Sequence, residues 1–160
     1  MGNGVKYDYQ FRLTPMVQTS AYTANRMLCA PFTISGPFLP PNLTAAIKSI
    51  TVVNLAASAP ALDFVFFKDD VAISNGINQS CNVSTADLQN CVTFVEQLGT
   101  GAWITDALGS GTIRLATIHP NNLTVNSSAK GVVKIAVLTR TAITPVTASD
   151  FTFIIDFEVL

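Results

Sequence analysis

A chain of 160 residues is the size of one domain, and a domain of that length buries roughly 70% of the surface its unfolded chain exposes, so a self-sufficient core is expected. Only 12% of its residues are charged, against roughly 25% in ordinary soluble domains, and 49% are hydrophobic, a balance that points to protein neighbours rather than a free monomer. Nine Lys and Arg against ten Asp and Glu give a formal net charge of -1 with no basic patch, which excludes nucleic acid as a partner; no apolar run reaches the roughly 18 residues of a membrane helix, which excludes a membrane.

The N-terminus has no apolar core of a signal peptide. Residues 6 to 14 alternate polar and apolar, putting Tyr7, Tyr9, Phe11 and Leu13 on one face of a strand that Pro15 limits. Residues 27 to 34 read as a second strand with Leu28, Ala30, Phe32 and Ile34 on one side. The loop that follows, Ser35 to Pro41, carries Phe38 and Leu39 between prolines, two large side chains that such a loop rarely leaves in water. Residues 46 to 54 and 61 to 68 form two β-rich runs around a small, flexible connection, a hairpin or a sheet-to-sheet corner. Because Val65 and Phe67 are apolar as well as Leu62, Phe64 and Phe66, the second run reads as a central strand covered on both faces.

From Val71 to Asn90 the pattern loosens into a Ser/Asn-rich connection, and Ser84 with Asp87 three residues on has the spacing of a helix start, so one short helix is expected near 85 to 91. Strand candidates resume at 91 to 97, at Trp103-Ile104 as an anchor to the core, and at 112 to 118. The last two are the clearest: residues 132 to 141 with Val133, Ile135 and Val137 in phase, and residues 151 to 159, where Phe151, Phe153, Ile155, Phe157 and Val159 oppose Thr152, Asp156 and Glu158. About eight short strands and almost no helix read as an all-β antiparallel sandwich or barrel. No repeat or linker divides the chain.

The chemistry of catalysis is mostly missing. His119 is the single histidine, followed by a Pro-Asn-Asn turn, and reads as structural or solvated. There is no nucleophile elbow, phosphate loop, His-Glu-x-x-His or Cys-x-x-Cys, and the glycine pairs at Gly99/Gly101 and Gly109/Gly111 lie between strands as turns. Asp63, Asp69, Asp70 and Asp156 could pair for glycoside hydrolysis or hold calcium, but the favoured reading places them at solvated edges. Cys29, Cys81 and Cys91 read as free thiols acting as small hydrophobes, with Cys81 and Cys91 alone spaced to close a short disulfide loop. The sequons at Asn42, Asn78, Asn82, Asn122 and Asn126 read as Asn, Ser and Thr serving turns. No catalytic residue, no cofactor and no metal site is therefore assigned.

Several stretches carry a resemblance. Ser20-Ala21-Tyr22-Thr23-Ala24, Ile47-Lys48-Ser49-Ile50-Thr51-Val52-Val53-Asn54, Leu62-Asp63-Phe64-Val65-Phe66-Phe67, the single Trp103 and Ser149-Asp150-Phe151-Thr152-Phe153 occur in an order that resembles small structural proteins of tailed bacteriophages, over residues 20 to 157. The resemblance rests on packing patterns and implies a capsid decoration or cement protein: a jelly-roll-like fold that binds the outside of the shell as a dimer or trimer and clamps neighbouring subunits. The low charge and the absence of a basic patch agree with a place between subunits on a shell exterior.

The expectation is thus a β-sandwich of jelly-roll type with at most one short helix, divided as an N-terminal arm and first strand over residues 1–19 and a single domain over 20–160. Its expected function is non-enzymatic, cementing a phage capsid from outside, with the major capsid protein and other copies of itself as partners. It would be made in the host cytoplasm and located on the outer surface of the virion. Tyr7, Tyr9, Pro37, Phe38, Leu39 and Pro40 are the expected contact residues. A tail-fibre or receptor-binding module, or a head-tail or tail component, is the alternative.

Overall fold

The computed structural model describes residues 7–35, 44–105, 113–120, 124–126 and 131–159. In chain order these form β1 (Tyr7–Leu13), β2 (Arg26–Met27), β3 (Phe32–Ser35), β4 (Thr44–Asn54), β5 (Leu62–Phe67), α1 (Thr85–Cys91), β6 (Val92–Leu98), β7 (Trp103–Thr105), β8 (Arg114–Ile118), β9 (Thr124–Asn126), β10 (Val132–Thr139) and β11 (Phe151–Val159). They make two antiparallel sheets, β1-β11-β4-β8-β7 with β9 also on β4, and β2-β10-β5-β6 with β3 also on β10.

Both β8 and β9 pair along β4, and both β2 and β3 pair along β10, so each of these couples acts as one interrupted strand. Taken that way the sheets read β1-β11-β4-β8 and β3-β10-β5-β6, and the chain passes from sheet to sheet in the order of a jelly roll, with β7 added at one edge. The fold is an antiparallel jelly-roll sandwich with one short helix among the described residues.

The alternation of the sequence builds the space between the sheets. Phe151, Phe153, Ile155 and Phe157 of β11 face Leu62, Phe64 and Phe66 of β5 and Val133, Ile135 and Val137 of β10, all buried in one cluster. Phe153 sits at its middle, edge-on to Phe64 with ring centroids 5.5 Å apart and stacked on Phe32 at 6.0 Å. The aromatic stripe of β1 belongs to this core: Phe11 stacks on Phe32 and Tyr9 on Phe157, each at 5.7 Å.

A second, smaller cluster lies on the outside of the β10-β5-β6 sheet. Phe67, Val71 and Ala136 are buried there under Val65, Ile73, Cys81, Val83, Cys91 and Val92, so the connection between β5 and β6 covers the outer face of β5 as its two-sided apolar pattern requires. Ser84 caps α1 by accepting from the Asp87 amide at 3.1 Å and donating to its carboxylate at 2.8 Å. Asn75 and Asn82 of the same connection donate their side-chain amides to Ser80 and Ser74 within it, while Asn78 donates to the Ala21 carbonyl of a distant loop; Asn42 and Asn122 lie outside the described residues.

Two expectations change and one open alternative is decided. The strand over 27 to 34 splits into β2 and β3 around Pro31, which has no amide to donate; Ala30 is exposed while Cys29 turns inward. Residues 46 to 54 and 61 to 68 lie in opposite sheets, so of the two connections expected there the sheet-to-sheet corner is the one formed. Asp63 is not at a solvated edge but buried, for the reason given below. Of the arm expected over 1–19, residues 1–6 lie outside the described residues, and Tyr7–Leu13 pairs along all seven positions with β11.

Candidate functional site

The expected contact residues are only partly in view. Tyr7 pairs with Val159 at the start of β1, and Tyr9 is half-buried against Phe157. Pro37, Phe38, Leu39 and Pro40 lie outside the described residues. The structure therefore brings Tyr7 and Tyr9 to one sheet edge and leaves the loop part of the expected site open.

Three surface depressions hold the titratable groups. A shallow groove of about 410 Å³ runs over the outer face of the first sheet between Asp8, Gln10, Lys48 and Asp156. It follows the bulge between Asp156 and Phe157, where β11 skips Lys48 in its pairing with β4. Asp156 is fully engaged there, accepting from Gln10 Nε2 at 2.9 Å and Ser49 Oγ at 2.7 Å, and Lys48 ion-pairs with the buried Glu158. His119 Nδ1 lies 3.3 Å from the Lys48 carbonyl, and the residue is exposed.

A second cleft, about 250 Å³, is lined by Asp69, Asp70, Asp87 and Cys91. Its carboxylates are spent locally: Asp69 accepts from the Asp70 amide, Asp70 pairs with Lys134, and Asp87 caps α1. Among the described residues no group of His, Cys, Asp and Glu is placed to hold a metal ion. Cys29, Cys81 and Cys91 are all free; burial pushes the Cys29 thiol up to about 12 and raises the other two, which keeps the reactive thiolate scarce.

The third cleft, about 130 Å³, lies between Asp63, Gln97, Leu98 and Arg140. Asp63 Oδ2 meets Arg140 Nε at 3.1 Å, while Oδ1 is buried without a hydrogen-bond partner. Burial raises the Asp63 carboxyl above its ordinary value, and the Arg140 charge offsets part of that. Asp63 lies in β5 and lines this cleft, while Asp69 lies two residues past the end of β5 at Phe67 and lines the second cleft. They do not form a hydrolytic pair.

The most elaborate construction is at the end of the sandwich where the chain crosses between sheets. The β1-β2 loop bonds to the β10-β11 loop through Val17 N to Ala148 O at 2.9 Å and Tyr22 N to Ile143 O at 2.7 Å. The β4-β5 loop joins through Leu55 N to Asp150 O at 2.8 Å and Ala61 N to Thr141 Oγ1 at 3.1 Å, and Trp103 Nε1 donates to Pro60 O at 2.7 Å, bringing in the loop before β7.

Buried polar side chains hold each loop in shape. Tyr22 Oη accepts from Gln18 N and donates to Leu28 O. Asn54 accepts from Ala56 N and donates to Ser58 O, closing the β4-β5 turn. Asp150 accepts from the amides of Val146 and Thr147 at 2.6 and 3.0 Å and from Thr147 Oγ1 at 2.6 Å. Tyr22, Asn54 and Asp150 are all buried, and none was identifiable as a functional residue from the sequence, because turn-closing Asn, Asp and Tyr carry no spacing signature of their own.

No known protein family matches the sequence. No curated protein matches it either. Among solved structures, the chain is similar to one of tomato aspermy virus, with 12% identity, 99% of this chain and 79% of that chain covered, and a TM-score of 0.42. It is also similar to one of cocksfoot mottle virus, with 12% identity, 99% and 86% covered and a TM-score of 0.38, and to the K3 cleaved adhesin domain of Lys-gingipain from Porphyromonas gingivalis, with 11% identity, 79% and 59% covered and a TM-score of 0.31. The assignment of the jelly roll to this chain rests on its own strand order.

Proposed function

We propose that this chain is a non-enzymatic structural component of a virus particle. The observation that carries the reading is a jelly-roll sandwich with an unusually small share of charged residues, 12%, in which Asp87, Lys48, Glu158 and Asp150, among the described residues, are spent on capping, pairing and loop closure. A fold of this kind hosts many functions, so the charge content and the use of the side chains decide between them. The finer reading is that of a decoration or cement protein on the outer surface of a phage capsid, working as a homo-oligomer with the major capsid protein as its partner. It is supported by the order of packing motifs from Ser20 to Phe153, with Tyr7, Tyr9, Pro37, Phe38, Leu39 and Pro40 as candidate contacts.

Binding many copies to an assembled shell, and not to its dissociated parts, lowers the free energy of the assembled state. Deleting the coding sequence for this chain from its source tests the reading. A cement protein predicts that particles still form but release their contents at lower temperature. Complete loss of particles would place the chain in the shell itself, and particles of unchanged number and heat resistance would overturn the structural role.

A further inference from the structure

An edge strand presents a row of backbone amides and carbonyls that can pair with another chain unless something blunts it. Among the described residues β1 ends the first sheet: β11 pairs along one side of it and no strand along the other. The remaining edges are blunted. β7 has only three residues, and β2 and β3 are interrupted at Pro31. β6 sets Glu96 on the same face as the buried Leu98, where burial raises its carboxyl. By contrast β1 runs for seven residues with no Pro, no Gly and no break in its register with β11, and its Phe11 and Leu13 are half-buried on the core side.

On the other face of β1, Asp8, Gln10 and Arg12 are exposed. Neither charge meets its complement on the neighbouring strand: Asp8 lies opposite Glu158 and Arg12 opposite Ile154, and the nearby Lys48 is spent on Glu158. The two charges stand at equal distances from Gln10, the middle residue of the strand. A second β1 laid antiparallel along the outer side, Gln10 opposite Gln10, therefore sets Asp8 of each copy against Arg12 of the other. Side-chain faces must match across such a ladder, so the competing registers are few. Centring the pair on Tyr9 or Phe11 leaves Gln10 opposite a charge, and centring it on Asp8 or Arg12 sets like charges together, which opposes pairing.

We infer that two copies of this chain join through β1, antiparallel about Gln10, so that their first sheets become one continuous sheet. The inference rests on the reading of the chain as a structural subunit that associates with itself, and it gives that association a surface and a register. The occupant follows from the charge pattern. A strand that carries an acid and a base at equal distances from its centre is complementary to its own antiparallel copy, which is the self-matching contact of a two-fold dimer. The junction adds about six to eight main-chain hydrogen bonds. On the core side it sets Tyr9 of one copy opposite Phe11 of the other, extending the aromatic layer in which Phe11 stacks on Phe32 and Phe32 on Phe153. A net charge of -1 adds little repulsion between whole chains.

The test is sedimentation velocity of the purified full chain over a wide concentration range, beside Asp8→Arg, Arg12→Asp and the double variant. Each single variant sets like charges opposite one another at both ends of the junction. Mixed in equal amounts, or combined in one chain, the two changes set opposite charges there again, an outcome that a purely structural role of either residue would not produce. The expected result is a dimer of the natural chain, weakened at least tenfold in either single variant and restored in their mixture and in the double variant, with all of them keeping the natural near-ultraviolet circular dichroism. A natural chain that stays monomeric, single variants that dimerise like it, or a mixture or double variant that associates no more tightly than the single variants each overturns the inference. Presence in particles is read separately: a chain that is found in virions but never pairs in this way refutes the β1 junction and leaves the virion reading standing, and a chain that dimerises through β1 but is absent from virions does the reverse.

Discussion

Two buried carboxylates differ in how they are held. Asp150 ties its loop together by accepting three short hydrogen bonds, and removing it strands the amides of Val146 and Thr147. Asp150→Ala is expected to cost about 2 to 3 kcal/mol in urea denaturation, with the change in midpoint and not in slope. Asp63 is held in a site that disfavours its charge, because burial outweighs the help from Arg140. Its folded form therefore keeps its proton to higher pH than the unfolded chain does, so folding loses stability as the pH rises above the ordinary carboxylate value of 3.8 and levels off once the folded-state carboxyl has ionised. Asp63→Asn removes this group, and the slope of unfolding free energy against pH through that window is expected to flatten. A slope unchanged by the substitution would show that other groups set it.

Neither residue could be placed from its neighbours in sequence. Asp63 sits at a strand position that alternation assigns to the outside, and only the approach of Gln97, Leu98 and Arg140 from other strands buries it. The same is true of Glu158, which the polar phase of β11 marks as exposed and which the bulge at Lys48 covers.

Strands with a clean period of two were legible from sequence, and those depending on long-range pairing were not. Phe151, Phe153, Ile155 and Phe157 of β11 and Val133, Ile135 and Val137 of β10 keep a period of two because that face meets the core, and the two-sided apolar run of β5 correctly signals cover on both faces. The break between β2 and β3 was missed because Leu28 still bonds to Val137 across the interruption, keeping the apolar phase continuous while Pro31 breaks the ladder. The helix α1 was legible through its cap, and that cap is its main local support.

Because α1 lies over the small outer cluster and outside the main core, its stability is separable from that of the sandwich. Ser84→Ala is expected to cost about 1 kcal/mol and to show as faster amide exchange within Thr85–Cys91, with the sandwich amides unchanged. Phe153→Ala, at the centre of the main core, is expected to cost about 3 to 5 kcal/mol and to speed exchange throughout. Uniform acceleration by Ser84→Ala would show instead that the helix unfolds only with the sandwich.

For the whole molecule, composition says more than any motif. The low share of charge is legible in the amino-acid sequence, but the surfaces are not, since the loops that share one end of the sandwich are far apart along the chain and meet only through the jelly-roll order of the strands. Residues 14–25 and 141–149 become one surface because Tyr22 and Ile143 bond across them. The contact residues expected from sequence were drawn from apolar side chains in a strand and a proline-rich loop; that Met16, Leu55 and Val146 are exposed apolar side chains is recognisable only from the structure.

The central claim is that the chain is a structural part of a virus particle, and quantification of its copies against the major shell protein in purified particles from its source tests it most directly. Copies in the hundreds at a fixed ratio to the shell subunit are the result this account predicts; absence of the chain from particles would contradict it.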